Sequence, residues 1–263
     1  MILSQPAKPS ESQSSPSRID SLLQNIDRTR MPRHVAIITD GNGRWARGRG
    51  KPRVEGHRQG YKTVRRIVRE ADEIGIKVLT LYAFSAENWS RPKHEVDALM
   101  HLFEMGARAE LAELKENNVR IRFIGRREGL PASLLREMAR NEQETAGNTG
   151  LILNLAINYG GRTEITDAVR SLAAQVAAGT LSPDSITEQM IGSALYAPDL
   201  PDPDLLIRTA GELRVSNFLL WQVAYTEIWV TDDFWPDFTI SHLVQAIESY
   251  QHRVRKFGGL APE

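Results

Sequence analysis

The residues best suited to chemistry stand together in Asp40-Gly41-Asn42-Gly43-Arg44-Trp45, directly after the apolar run His34-Val35-Ala36-Ile37-Ile38-Thr39. That run reads as a buried strand, so the motif falls at a strand end, where ligand crevices lie in open α/β folds. Asp40 offers a hard oxygen ligand suited to Mg²⁺, Arg44 a planar cation and Asn42 an amide, while two glycines let the backbone approach a bound group. Together they describe a pocket for a metal-bound phosphate. A lone D-G-x-G is more often a solvated turn, and it is the neighbours that change the odds. Arg53 and His57 follow on the same connection. Arg208 and Arg214, with Val215 and Ser216, follow a later strand. Two arginine clusters imply two anionic groups, because guanidinium forks match phosphate oxygens with paired hydrogen bonds. For either cluster alone, solvated or acid-paired arginines are an equal alternative.

Two further features carry polar chemistry at strands. Ser85-Ala86-Glu87-Asn88-Trp89-Ser90-Arg91-Pro92 closes the run Lys77 to Phe84. Glu227 interrupts the apolar run Tyr225 to Val230; if buried, it needs a metal or an arginine, and an outward-facing position is the alternative. Asp232-Asp233-Phe234-Trp235-Pro236-Asp237 reads as an acidic loop, since its third acid falls one place late for a D-D-x-x-D metal motif.

The elements that must position these residues follow from periodicity. Strands are expected at 34–39, 77–84, 119–124, 151–157, 205–207 and 226–230. After loop chemistry from Gly48 to His57, Tyr61, Val64, Ile67, Val68, Ala71 and Ile74 recur at helical spacing up to Gly75. Its first turn would bring His57 and free N–H groups to the Asp40 loop. Further helices are expected at 95–116, 132–146, 163–178, 186–195 and 240–257, the first amphipathic through Val96, Leu99, Met100, Phe103, Leu111 and Leu114. The alternation predicts an α/β fold, a single domain with a mostly parallel central sheet flanked by helices. Residues 1–28, rich in Ser, Pro, Gln and charge, read as a disordered N-terminal tail, and 29–263 as the folded domain.

Composition narrows the function classes. Lys plus Arg equals Asp plus Glu at 33 each, so no global field draws the chain to nucleic acid or an anionic membrane. The absence of cysteine removes disulfides, thiolate metal sites and cysteine nucleophiles. With no signal-peptide core and no run of roughly 20 apolar residues, the expectation is a cytoplasmic protein, at most peripheral to a membrane. Neither G-x-G-x-x-G nor a Walker loop is present.

Read in order, the motifs resemble the cis-prenyltransferase family, of the undecaprenyl diphosphate synthase type. D-G-N-G-R-W-A from Asp40, G-H-x-x-G from Gly56, Y-A-F-S-x-E-N-W-x-R-P from Tyr82, N-Y-G-G from Asn158 and S-N-F-L-L-W-Q from Ser216 carry it, spanning Arg33 to Gly259. The resemblance implies a homodimer that elongates an allylic diphosphate, farnesyl or geranylgeranyl, with isopentenyl diphosphate and Mg²⁺. It also implies a carrier-lipid role in cell-wall synthesis, no nucleic-acid partner, and transient contact with a membrane surface to release product. By motif, Asp40 resembles the carboxylate that works with Mg²⁺, and Gly41, Asn42, Gly43, Arg44, Trp45, Arg53 and His57 the allylic diphosphate cradle. Arg208, Arg214, Val215 and Ser216 resemble the isopentenyl diphosphate site, and Glu227 a second metal-associated acid. Ser85, Ala86, Glu87, Asn88, Trp89 and Arg91 resemble the wall beside the reacting carbons, with Asn88 assisting proton removal. Ala83 and the apolar face of the 95–116 helix are the expected tunnel. Thr39, Ala210 and Leu213 depart from the common pattern, Leu213 standing where some members carry His. Three other functions compete: a scaffold subunit without catalysis, an RNA-binding module built on Arg44 to Arg69, and a Mg²⁺-dependent phosphohydrolase.

Overall fold

The computed structural model describes residues 22–24 and 26–253. Six strands, β1 (His34–Ile38), β2 (Val78–Ser85), β3 (Arg120–Ile124), β4 (Ile152–Tyr159), β5 (Leu205–Arg208) and β6 (Glu227–Val230), form one sheet in the order β3-β4-β2-β1-β5-β6. Every pairing is parallel. Parallel strands need crossovers, in which lie the helices α1 (Asn42–Arg47), α2 (Arg53–Glu73), α3 (Lys93–Glu116), α4 (Ala132–Glu144), α5 (Gly161–Ala177) and α6 (Glu188–Ser193), while α7 (Ile240–Gln251) follows β6. Burial of all five β1 residues explains its unbroken apolar run. Val35 and Ile37 join the larger core, with α2, α3, α4 and α7, while Ala36 and Ile38 join a smaller one with Tyr82, Tyr159 and Phe218. Among the described residues no helix is long and apolar enough to cross a membrane.

The structure changes three sequence expectations. The stretch after Asp40 is not an open glycine loop but the short helix α1, and α2 begins at Arg53, placing His57 one turn inside it. Gly56 lies inside the stretch read as loop chemistry, and Gly60 just before Tyr61, the first apolar residue of the expected helix. In the structure both lie on the α2 face that meets α1, where a Cβ would come within 1.9 Å of the Asn42 carbonyl oxygen and 2.2 Å of its Oδ1. The expected tail also ends earlier than 28: Leu23 and Ile26 are buried in the core, and Gln251 accepts a hydrogen bond from Asp27 N–H at 3.0 Å. Residues 1–21 and 25 of that tail, and 254–257 of the expected last helix, lie outside the described residues.

A buried polar chain ties the central strands together. His34 Nδ1 lies 2.6 Å from the Pro201 carbonyl, which can only accept, so the neutral ring leaves Nε2 to accept from the Thr80 hydroxyl at 2.7 Å. Thr80 in turn accepts from Asn154 Nδ2 at 3.2 Å. Burial pulls the His34 pKa down to about 4, against opposing effects from Pro201 and Asp204. Between the ordinary 6.5 and about 4 the unfolded chain therefore holds a proton that the folded chain refuses. Stability should fall as pH drops through that window, by up to about 3 kcal/mol from this group. Urea unfolding at several pH values checks it, with His34→Gln expected to flatten the slope.

Candidate active site

The crevice opens at the carboxyl ends of β1, β2 and β5, the central strands of the sheet. Asp40 follows β1, Ser85 ends β2 and Arg208 ends β5. Their side chains and the start of α1 line a cleft of about 720 Å³. Gly41 sits in the left-handed region at φ 97°, and a Cβ there would lie 2.5 Å from the Phe234 ring. This turn aims the Asp40 carboxylate into the cleft, and only glycine adopts it without strain.

Asp40 is held before any ligand arrives. Arg208, whose side chain is 4 % exposed, donates to Asp40 Oδ2 at 2.9 Å and to Ser216 Oγ at 3.1 Å, while Arg44 stands 3.6 Å from the same oxygen. Burial lowers the Arg208 pKa, and the Asp40 charge works against that loss. The Arg208 Nε is buried without a protein partner. The two arginine clusters seen in the sequence thus converge on one cleft. Glu212, which sequence reasoning did not single out, joins them by accepting from Arg44 at 2.8 Å and from Arg214 at 2.5 Å. The Arg214 bond, foremost, holds its carboxyl below the ordinary range.

Glu95 is the other acid that sequence reasoning missed. Its carboxylate is 3 % exposed and accepts from Arg53 Nε at 2.8 Å and Nη2 at 3.2 Å, and from Arg91 Nη1 at 3.2 Å, with His57 Nε2 at 3.2 Å. Burial alone would raise its pKa, but hydrogen bonds from Arg53 and His57 and the two guanidinium charges hold it low. The signal was present in the sequence, since Glu95 is an acid four residues after Arg91 on the apolar-striped α3. Burial also lowers the His57 pKa, against the opposing hydrogen bond and charge of Glu95, with Arg91 and Arg53 adding to the lowering.

The remaining expected residues divide between the cleft and its supports. Gly41, Asn42, Gly43, Ser85, Glu87, Asn88 and Arg91 line it. Asn88 Oδ1 accepts from the Ser85 N–H at 3.2 Å, which gives this amide a capping role in the short 3-10 turn Ala86–Ser90. Trp45, Ala86, Trp89 and Val215 do not line the cleft. Trp45 donates to Asp237 at 2.8 Å beneath Arg49, Trp89 donates to Asn158 at 2.8 Å, and Val215 packs against the smaller core. Glu227 is not brought to Asp40 within the chain. It pairs in register with Leu205 at the start of β5, whereas the cleft lies beyond Arg208, and its carboxylate accepts from Arg253 at 2.6 Å. Alternation in an apolar strand could not show which end of the sheet it occupies.

The loop after β5 pays in backbone strain for its shape. Ala210, Ser216, Asn217 and Leu219 have φ of 73°, 47°, 61° and 46°, an unusual concentration of left-handed non-glycine residues. Asn217 is pinned there, donating to Glu87 at 2.7 Å and accepting from the Arg162 N–H at 2.8 Å. Leu213, 83 % exposed on this loop, makes the departure from His a solvent-facing one.

A second cavity of about 710 Å³, mostly apolar, lies between α2, α3 and the sheet. Thr39, Asn42, His57 and Ala83 line both cavities, so the anion cleft opens beside an apolar chamber that includes the expected Ala83 and Phe103. Fold and site together define a prenyl-transferring enzyme. A family model described as "Putative undecaprenyl diphosphate synthase" matches residues 38–258, and the chain belongs to that family. It is 54 % identical over 238 residues to an isoprenyl transferase of Geobacillus kaustophilus, covering 90 % of this chain and 93 % of that one. An isoprenyl transferase of Bacillus anthracis is 51 % identical over 241 residues, covering 92 % and 93 %. Among solved structures, lavandulyl diphosphate synthase from Lavandula x intermedia, in complex with dimethylallyl diphosphate, superposes with a TM-score of 0.85 at 40 % identity, covering 88 % of this chain and 99 % of that one. A probable undecaprenyl diphosphate synthase from Campylobacter jejuni gives 0.71 at 32 %, covering 86 % and 98 %.

The arrangement predicts a measurable part for Glu95. Glu95→Gln removes the charge that gathers Arg53 and Arg91, and it should weaken inorganic diphosphate binding by about tenfold while the chain stays folded. Calorimetric titration with diphosphate, alongside circular dichroism, checks it.

Proposed function

We propose that the protein condenses isopentenyl diphosphate with an allylic diphosphate, farnesyl or geranylgeranyl, to give a cis-polyprenyl diphosphate that serves as a carrier-lipid precursor for cell-wall synthesis. The observation that carries this reading is the shared wall of Thr39, Asn42, His57 and Ala83, which sets an anion cleft directly against an apolar chamber. A diphosphate held by the α1 start, Arg44, Arg53 and His57 would send its prenyl tail into that chamber. Arg208, Arg214 and Ser216 would hold the second diphosphate across Asp40. The bound dimethylallyl diphosphate of the lavender relative is an allylic diphosphate of the proposed kind.

The donor set fits Mg²⁺ arriving on a diphosphate. Asp40 offers a carboxylate at the cleft, and among the described residues no cluster of three His, Cys, Asp or Glu could hold a metal alone. Mg²⁺ characteristically takes one or two carboxylates and completes its shell with phosphate oxygens and water. When bound it would neutralise charge on the departing diphosphate. The chain's own part is to supply fixed cations to the leaving group and to keep water from the allylic cation with apolar walls. The homodimer, the cytoplasmic setting and transient membrane-surface contact for product release belong to the same proposal. Both arginine clusters and Asp40 are intact, which favours an enzyme over a scaffold subunit, and the apolar chamber favours transfer over phosphate hydrolysis.

The test is incubation of the protein with labelled isopentenyl diphosphate, farnesyl diphosphate and Mg²⁺, followed by chromatography of extracted lipids. A long product or ladder is expected, and its absence from folded protein with several primers would overturn the reading. Asp40→Ala should cut elongation by about a thousandfold or more while leaving the circular dichroism spectrum unchanged.

A further inference from the structure

Nothing in the transfer chemistry accounts for the two glycines of Asn158-Tyr159-Gly160-Gly161. Both meet the strained loop after β5. A Cβ on Gly160 would lie 2.7 Å from Asn217 Nδ2, and one on Gly161 would lie 2.8 Å from the Leu220 side chain. The Gly161 N–H donates to the Asn217 carbonyl at 2.6 Å, and the Arg162 N–H donates to Asn217 Oδ1 at 2.8 Å. Asn217 Nδ2 donates in turn to Glu87 at 2.7 Å, on the turn after β2. One residue therefore joins the start of α5, the loop that carries Arg214 and Ser216, and the turn that carries Asn88. Asn217 itself lines the cleft.

We propose that Asn217 is a positioning residue for the isopentenyl diphosphate site, setting Ser216 and Arg214 at the cleft by fixing their loop against α5 and Glu87. The inference rests on the transferase reading above. From the buried side Arg208 holds the same segment, donating to the Arg214 carbonyl at 3.2 Å and to Ser216 Oγ at 3.1 Å. A second hold is needed because Ser216 and Asn217 are consecutive left-handed residues, at φ 47° and 61°. Non-glycine residues keep that conformation only where surrounding contacts over-determine it. Asparagine suits the place, since it tolerates the left-handed region and its amide supplies a donor and an acceptor at once. The bond to Glu87 also engages a carboxylate that would otherwise stand free in a cleft built for anions, and it ties the two walls of that cleft together.

The experiment measures kcat and the KM for each substrate in wild type, Asn217→Gly, Asn217→Asp, Glu87→Gln and the pair Asn217→Asp with Glu87→Gln. Asn217→Gly keeps the left-handed backbone and deletes the amide, so the KM for isopentenyl diphosphate should rise about tenfold while that for farnesyl diphosphate stays within about twofold. Asn217→Asp sets two carboxylates together and should raise the isopentenyl diphosphate KM further. Adding Glu87→Gln, which returns a donor to the contact, should recover most of that loss. A general loosening of the fold would move both KM values together and would not be rescued by the swap. Equal rises in the two KM values, or an unchanged KM for isopentenyl diphosphate, in protein that still makes lipid would overturn the role of Asn217 alone. If Asn217→Gly does not fold, the pair decides, and no recovery over Asn217→Asp by itself overturns the role. Wild type that makes no lipid would overturn the transferase reading and this role with it.

Discussion

The site depends on the contact between Asp40 and Arg208. Asp40 follows β1 and Arg208 ends β5, neighbouring parallel strands whose loops would otherwise diverge. The backbone reinforces the side-chain contact, since the Asp40 N–H donates to the Thr209 hydroxyl at 2.9 Å and the Asp40 carbonyl accepts from the Trp235 N–H at 2.9 Å. A buried guanidinium without a carboxylate beside it would be costly, and so would a carboxylate crowded against a diphosphate without cations. Each makes the other tolerable. The result is a cleft whose charges are set in place before ligand binds, which is the condition for electrostatic stabilisation without reorganisation during reaction.

The same logic extends outward through two acids. Glu95 gathers Arg53, Arg91 and His57, and Glu212 gathers Arg44 and Arg214. Several cations on one anion site repel one another, and interleaved carboxylates offset that repulsion while fixing each fork. The difference between the two acids is burial. Glu95 lies beneath the cleft and is nearly inaccessible, so it acts as a permanent anchor. Glu212 sits on the strained 210–219 loop, where its bonds to the arginines are more exposed to solvent and so hold them less firmly.

Polar and apolar chambers meeting at Thr39, Asn42, His57 and Ala83 follow from the sheet. Thr39 comes just after β1, where alternation turns one residue to each face, and its hydroxyl donates to the Tyr82 carbonyl at 2.8 Å on the neighbouring strand. The larger core lies on the α2–α3 side of the sheet, and the chamber is a gap left within that layer. Close approach of α1 and α2, allowed by Gly56 and Gly60, sets Asn42 at the boundary where the chamber meets the cleft.

The sequence by itself determined the fold class, the six strands and the presence of polar chemistry after the strands that end near Asp40, Ser85 and Arg208, while their meeting in one cleft came from the fold. Strand runs and helical stripes are local periodicities, and motif order along the chain is enough to mark a family. Tertiary structure decided what depends on contacts between distant residues. Glu95 and Glu212 look like ordinary surface acids until their arginine partners are seen. Gly56 reads as loop until Asn42 is found against it. Trp45 and Trp89 belong to the motifs yet serve as supports, because their ring N–H groups are committed to Asp237 and Asn158. Glu227 lies at the far end of β6 from the cleft, since parallel register, which sequence does not encode locally, sets which end of each strand faces the ligand.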